Sequence, residues 1–593
     1  MNKQIKFAVL IVVVLFSALS VISAQHKFYV NMNDRADDLF KVTLIPEKLT
    51  EQNKIYQFAA TAPGAYQIMD IGRFVRSFKS YDKDDNELAA KQISTNQWEL
   101  SDPAKTKKII YTIAETFDTK VDKNPVYAMC GSSLENDHAL INGQTVFGYF
   151  HGMQKYPVKI KLEYPDEWTV GTALTQDANG YYNAPDYDYV VDSPILAGSL
   201  TKASAKVNQT TVDIFTYSKT GLIKSDNILM TMEDMLSSAG QFTKKLPVDR
   251  YVFLYHFENF SAGAWEHNYS SIYVYKEDTL SERYASEIRS TAAHEFFHVI
   301  TPLQIHSGLV ENFNYEKPVM SQHLWFYEGV TEWASDIMQL HDYLISLEDY
   351  LRETKQKLNI NDNFDKKLSL AELGVRCVEL QDQYFNIYNK GAVVAALLDI
   401  KLLELSKGTR GLRELILELA KKYGPHKAFD EEKFFDEIVS MTYPEIRGFI
   451  NNYIAGTEPL PVKEYFGKLG IDYTEITGVD SSRIALGFGI GFKDNKFVIT
   501  NVEPQNSGIL STGDFIYKFD GEEVTLQNVK KTFASLTKMK VGDLIRLTIL
   551  HGGSEKEVEL KAAPRILRHD FKINENPTND QLALREAWTK NLP

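Results

Sequence analysis

The sequence predicts an α+β multidomain protein: a β-sandwich-like domain first, a mixed β and α-helical domain next, and a small β-rich module last. Three observations carry that prediction. The 593-residue length accommodates several domains at roughly 100–200 residues each. The composition, 44% hydrophobic, 24% charged and 12% aromatic, belongs to a chain that buries a core and excludes extended disorder. The hydrophobic period also changes along the chain, from alternation to a helical repeat and back to alternation.

Residues 1–24 stand outside the fold. Lys3 and Lys6 precede an apolar run from Phe7 to Leu19, and small residues lead up to Ala24. That is the pattern of a secretory signal, cleaved after Ala24 or retained as an anchor. No later stretch approaches the roughly 18–20 apolar residues of a spanning helix. The expectation is an exported chain, periplasmic or secreted, with no membrane span once mature.

Residues 25–194 read as the β-rich domain. Alternating runs at 28–32 and 108–113 are separated by Asp, Asn, Gly and Pro clusters. Residues 195–466 form the second domain. Strand signals continue at 250–255 and 271–275, and helical spacing takes over from about 281, notably at 392–398 and 412–419. Pro459 and Pro461 mark a linker. Residues 474–563 are β-rich again, and 564–593 read as a polar tail.

Charge and cysteine content narrow the function classes. Lys plus Arg is 65 against 79 Asp plus Glu, a net charge of -14. A phosphate-binding surface needs a basic excess, so no nucleic-acid partner is expected. Two cysteines, Cys130 and Cys377, exclude a disulfide scaffold and a cysteine-ligated zinc cluster. One bridge between them and two separate buried thiols both fit.

The most informative residues are His294-Glu295-Phe296-Phe297-His298. Chance predicts about 0.02 copies of this HExxH pattern in a chain of this composition. Thr291-Ala292-Ala293 leads into a helix, and Pro302 stops it after Ile300. Positions i and i+4 share a helix face, so both imidazoles reach one metal ion. Glu295, next to His294, is placed to contact a metal-bound water without ligating the metal.

A catalytic zinc needs a third protein ligand and an open position. The stretch 324–334, Leu-Trp-Phe-Tyr-Glu-Gly-Val-Thr-Glu-Trp-Ala, offers Glu328 and Glu332 at i and i+4 on an otherwise apolar helix. Carboxylates in that setting are costly to bury unless they meet a cation or a donor. Glu328 is therefore the expected ligand. Glu332 is the expected acceptor for the free N–H of His294.

Here the chain resembles the gluzincin metallopeptidases, whose second helix carries a glutamate ligand in an aromatic-Glu-Gly setting. Gly263-Ala264-Trp265-Glu266-His267 is similar to the Gly-Gly-Leu-Glu-His motif of the glycyl aminopeptidase family. Tyr388-Asn389-Lys390-Gly391 is similar to a Tyr-x-Lys-Gly element of larger zinc aminopeptidases. The departure is Ala264-Trp265 in place of Gly-Leu. The resemblance implies a thermolysin-like catalytic domain over 195–466 and one Zn²⁺ per chain. It also implies that Glu266 pairs with the free α-ammonium of a peptide. Gly263 and His267 are read beside it as substrate-side residues, with a structural role for His267 equally open. In such an enzyme Glu295 is the general base and Tyr388 the donor to the oxyanion.

The last module looks like a PDZ domain, β-barrel-like in outline. Leu486-Gly487-Phe488-Gly489 falls where a carboxylate-binding loop sits, and 502–508, 513–516 and 520–524 follow in the expected order. Its strands can capture a C-terminal peptide by β-augmentation or only dock on the catalytic body. The expected function is an exported zinc aminopeptidase that removes small N-terminal residues from peptides. A zinc endopeptidase and a catalytically silent peptide-binding protein are the alternatives.

Overall fold

The computed structural model describes residues 25–592 apart from 36, 494, 495, 526, 527 and 537; the expected signal, 1–24, lies outside the described residues. His26–Asn31 alternates buried and half-buried residues, so Phe28 and Val30 point inward. It pairs antiparallel with Leu39–Ile45 and parallel with Val158–Glu163 in an eight-stranded sheet. Two four-stranded sheets share one apolar core with it, centred on Phe40, Tyr56, Tyr111 and Phe147.

The second domain opens on a five-stranded sheet ordered Thr201–Val207, Thr210–Ser218, Arg250–Glu258, Ser270–Lys276 and Gly263–Glu266. Gly263–Glu266 is its antiparallel edge. Between the second and third strands runs the helix Ser225–Phe242, within a region that reads as strands from sequence. Ile228, Met232, Met235, Leu236 and Ala239 give it a buried stripe that short-range alternation does not register. The helices Glu282–Phe297, Val330–His341, Leu347–Asn361, Asn386–Leu405 and Leu412–Lys422 then share one core. Asn386–Leu405 is buried nearly all round from Lys390 to Ile400, so it forms the hub of the domain.

The C-terminal module is an open sheet rather than a closed barrel, ordered Phe488–Lys493, Lys496–Val502, Phe515–Phe519, Leu544–His551 and Ser554–Lys561. A long antiparallel ribbon, Ile471–Ala485 with Ala563–Ile573, carries it. Thr500 Oγ1 donates to the Asn363 carbonyl at 2.6 Å and Asn501 Nδ2 to the Asp362 carbonyl at 2.8 Å, which seats the sheet on the helical domain.

The reading of 564–593 as a polar tail is corrected. Ala563–Ile573 is a full strand of the ribbon, and Asn579–Trp588 is a helix that returns to the helical domain. Trp588 is fully buried against Tyr350 and Phe466. Trp588 is the helix's one fully buried residue, with Leu584 and Ala587 half-buried beside it, a short apolar stripe among polar residues. Cys130 and Cys377 are both buried and unbridged. No helix among the described residues is long and apolar enough to cross a membrane.

Candidate active site

The helix Glu282–Phe297 begins on Ser281, whose side chain accepts from Tyr284 N, and buries Ile288, Ala292, Ala293, Phe296 and Phe297. It ends earlier than the sequence predicts, with His298 as its C-cap rather than just after Ile300. The two imidazoles still share one face, with ring centroids 5.0 Å apart.

Glu328 lies in a wide π-helical turn, Trp325–Gly329, that precedes Val330–His341. Such a turn inserts an extra residue and re-aims the side chains it carries. Gly329 is required there because a Cβ would stand 2.6 Å from Gly391 Cα. The two glycines let the turn and the hub helix touch backbone to backbone. Tyr388, one turn before Gly391, thereby reaches a ring separation of 5.6 Å from His294.

Glu328 Oε2 stands 3.4 Å from His294 Nε2 and 3.7 Å from His298 Nε2. Each Nδ1 is already engaged: His294 Nδ1 donates to Glu332 Oε2 at 2.8 Å, and His298 Nδ1 donates to the Thr301 carbonyl at 2.8 Å. Both Nε2 atoms consequently face the Glu328 carboxylate, and the three ligand atoms lie within 4.8 Å of one another. A carboxylate buried against two imidazoles needs a positive charge beside it, a place that a metal ion fills. Two imidazoles and a carboxylate form the donor set that zinc takes, so the residues fit the metal.

Glu332 is anchored in turn by Lys357, 2.7 Å from its Oε1, and Lys357 also meets Asp336 at 3.0 Å. Burial alone would raise the Glu332 carboxyl, but Lys357 and His294 outweigh it and hold the carboxyl well below the usual range. Glu295 is buried, and burial pushes it up to about 7, against the pull of His294 and with the repulsion of Glu328 and Glu332.

Glu266 ends the edge strand. Its carboxylate, Glu295 and a His298 nitrogen lie within 4.8 Å of one another. Burial first, then repulsion from Glu328 and Glu295, pushes its pKa well above the ordinary value. Among the described residues no side-chain cation forms an ion pair with it; its own backbone and the charge of His294 offset that rise only in part. Gly64 of the first domain makes room for it, since a Cβ there would lie 2.4 Å from Glu266 Oε1.

Strand alternation sends the neighbours of Glu266 the other way. Trp265 joins the core of the first domain, with its Nε1 beside the same Gly64 that makes room for Glu266. His267 is buried beside Trp265 with Nδ1 3.2 Å from Asp192 Oδ1. Of the two roles read for His267, shaping the subsite and a structural one, its position fits the structural one: it braces the back of the strand. Gly263 starts the strand at φ 120°, with nothing within 4 Å of a Cβ position, so it serves the backbone path rather than a contact.

Two tyrosines were not legible from the sequence patterns. Tyr66, from the first domain, donates its hydroxyl to Glu328 Oε1 at 2.5 Å. It holds a left-handed φ of 49°, and its carbonyl accepts from Gln381 Nε2 at 2.7 Å. Tyr384 shares a hydroxyl–hydroxyl hydrogen bond with Tyr388. The four-residue spacing of Tyr384 and Tyr388 was a usable signal; for Tyr66 only the preceding Pro63-Gly64 turn hinted at a special loop.

In the C-terminal module, Gly487 sits at φ 72° and Asn506 Nδ2 donates to the carbonyls of Leu486 and Gly487 at 3.1 and 3.2 Å. Phe488 is buried in the module core, while a Cβ on Gly489 would lie 2.4 Å from the Asn363 carbonyl. The loop Leu486-Gly487-Phe488-Gly489 thus opens an edge strand whose back face rests on the helical domain.

Comparison with known proteins adds three matches. Residues 27–199 match the Peptidase M61 N-terminal domain, 287–394 match M61 glycyl aminopeptidase, and 467–562 match a PDZ domain. No curated protein matches the chain. The solved structure of an aminopeptidase N family protein from Idiomarina loihiensis superposes with a TM-score of 0.76, covering 95% of this chain and 100% of its own at 20% identity. That likeness shows the fold. A substrate-bound M1 zinc metallopeptidase from Deinococcus radiodurans covers 74% of this chain and 95% of its own, at 12% identity and a TM-score of 0.46.

Proposed function

Since the chain belongs to the M61 glycyl aminopeptidase family and is a zinc metallo-aminopeptidase, we propose that it is exported and removes single small residues, glycine or alanine, from the free amino termini of peptides. The observation that carries this reading is the Glu266 carboxylate, which lies within 4.8 Å of Glu295 and His298 and forms no ion pair among the described residues. A peptide α-ammonium is the cation it suits. The α-nitrogen and the first carbonyl carbon are separated by one Cα, so holding the amine at Glu266 leaves only the first peptide bond at the metal site.

His294, His298 and Glu328 would hold one zinc ion at this centre. When bound, zinc polarises the scissile carbonyl and acidifies a water molecule. Glu295 takes the proton of the attacking water and delivers it to the leaving amine, a shuttle suited to a carboxyl that burial has moved toward neutrality. Tyr388 donates its hydroxyl to the oxyanion as charge develops, and Tyr384 orients that hydroxyl. Glu332 and Tyr66 hold the ligands in register.

The edge strand Phe488–Lys493 supports capture of a peptide C-terminus beside Leu486-Gly487-Phe488-Gly489. Export rests on the segment from Lys3 to Ala24. The deciding experiment compares free and N-acetylated Gly and Ala peptides with the zinc-loaded protein and with Glu266→Gln. Cleavage restricted to free amines, and lost on Glu266→Gln, is the expected result. Equal cleavage of acetylated peptides would replace the exopeptidase reading with an endopeptidase.

A further inference from the structure

A second cluster of metal-type donors lies outside the active site, where the first domain meets the five-stranded sheet. His138 opens the strand His138–Ile141 of the first domain, and His256 and Glu258 stand two apart on Arg250–Glu258, on one face of that strand. All three are buried, with relative exposures of 1%, 0% and 5%.

His138 Nε2 lies 3.0 Å from His256 Nε2, and Glu258 Oε1 lies 3.7 Å from the first and 3.6 Å from the second. A hydrogen bond between the rings accounts for the short contact. It does not account for Glu258 Oε1, which is aimed at both nitrogens from beyond hydrogen-bond range. A zinc ion about 2.0–2.2 Å from each of three tetrahedral donors spaces them about 3.3–3.6 Å apart. The two carboxylate–imidazole distances lie at the long end of that spacing and repeat the 3.4 and 3.7 Å of the active site, while the two Nε2 atoms, at 3.0 Å, would move apart by a few tenths of an ångström to admit the ion.

The surroundings are those of a ligand set. His138 Nδ1 donates to Asp137 Oδ1 at 3.0 Å, and Asp137 Oδ2 accepts from Tyr217 at 3.0 Å. This carboxylate–imidazole relay leaves His138 Nε2 as a bare acceptor. Lys219 occupies the other oxygen of Glu258 at 2.6 Å, which leaves Oε1 to the cluster. The Tyr217 ring stacks on His138 and the Phe117 ring on His256, fixing both imidazoles.

We propose that His138, His256 and Glu258 bind a second zinc ion, a structural one that clips the first domain to the sheet of the catalytic domain. Its distinct test uses the full chain stripped with a chelator, reloaded with zinc alone and assayed by elemental analysis and thermal melting. Two zinc ions per chain are expected for the native sequence. Glu328→Ala, which leaves the second cluster intact, should retain one ion, and its melting temperature should rise by several degrees on zinc addition. Glu328→Ala combined with His256→Gln should bind none and show no zinc-dependent rise. A single ion in the native chain, or a Glu328→Ala protein that binds no zinc, overturns the proposal whatever becomes of activity.

Discussion

The Tyr66 hydroxyl donates to Glu328 Oε1 at 2.5 Å, so a side chain of the first domain touches the carboxylate that closes the metal site. The first domain is thus part of the centre and not a detachable appendage. Tyr66→Phe removes this hydrogen bond while keeping the ring that packs on Tyr384. Losing such an outer partner costs about 10–100-fold in metal affinity. Competition with a fluorescent zinc chelator measures it, and unchanged affinity would remove Tyr66 from the support of Glu328.

Tyr388→Phe should lower kcat by roughly 10²–10³-fold with little change in KM, because an oxyanion donor acts mainly in the transition state. Tyr384→Phe should cost less, since Tyr384 touches Tyr388 and acts through it. Steady-state kinetics on a Gly or Ala aminoacyl substrate separates the two. A loss confined to KM would reassign Tyr388 to binding.

Gly391→Ala should damage the centre without touching a ligand. A Cβ there would stand 2.8 Å from Gly329 Cα, which forces the π-helical turn away from the hub helix. Glu328 moves with that turn. The expected readout is reduced zinc content together with a lower melting temperature; native values of both would mean that the backbone contact is tolerant.

Asp399 supplies a pH prediction away from the metal. It is buried in the hub helix, and burial raises its pKa from 3.8 to about 8, against the hydrogen bond from Leu412 N at 2.7 Å. The folded chain therefore keeps a proton that the unfolded chain releases above about pH 4. With more protons bound to the folded state, stability falls as pH rises from about 4 to about 8. Asp399→Asn should flatten that decline. Melting temperatures at pH 5 and pH 8 test it, and equal slopes in the two proteins would refute the assignment.

Trp588→Ala should destabilise the helical domain by about 3–5 kcal/mol, the usual cost of emptying a large buried aromatic site. Chemical denaturation gives the value directly. A change below about 1 kcal/mol would restore the C-terminal helix to the status of a loose appendage.

The sequence by itself determined the donor set and its chemistry. The four-residue spacing of His294 and His298, the Glu328–Glu332 pair and the Tyr388–Gly391 element are local, and helix geometry alone makes them meaningful. The tertiary structure decided everything that depends on chain segments far apart meeting. It brought Tyr66 to Glu328, set Lys357 against Glu332, turned His267 away from the cleft, and joined His138 to His256 and Glu258. It also converted the expected polar tail into a strand and an anchored helix. The physical reason is common to these cases. A helical or strand repeat announces which residues share a face, because the period is a property of a few consecutive residues. Which face meets which is set by burial and by the pairing of charges across hundreds of residues, and a single chain read in order carries no periodic trace of it.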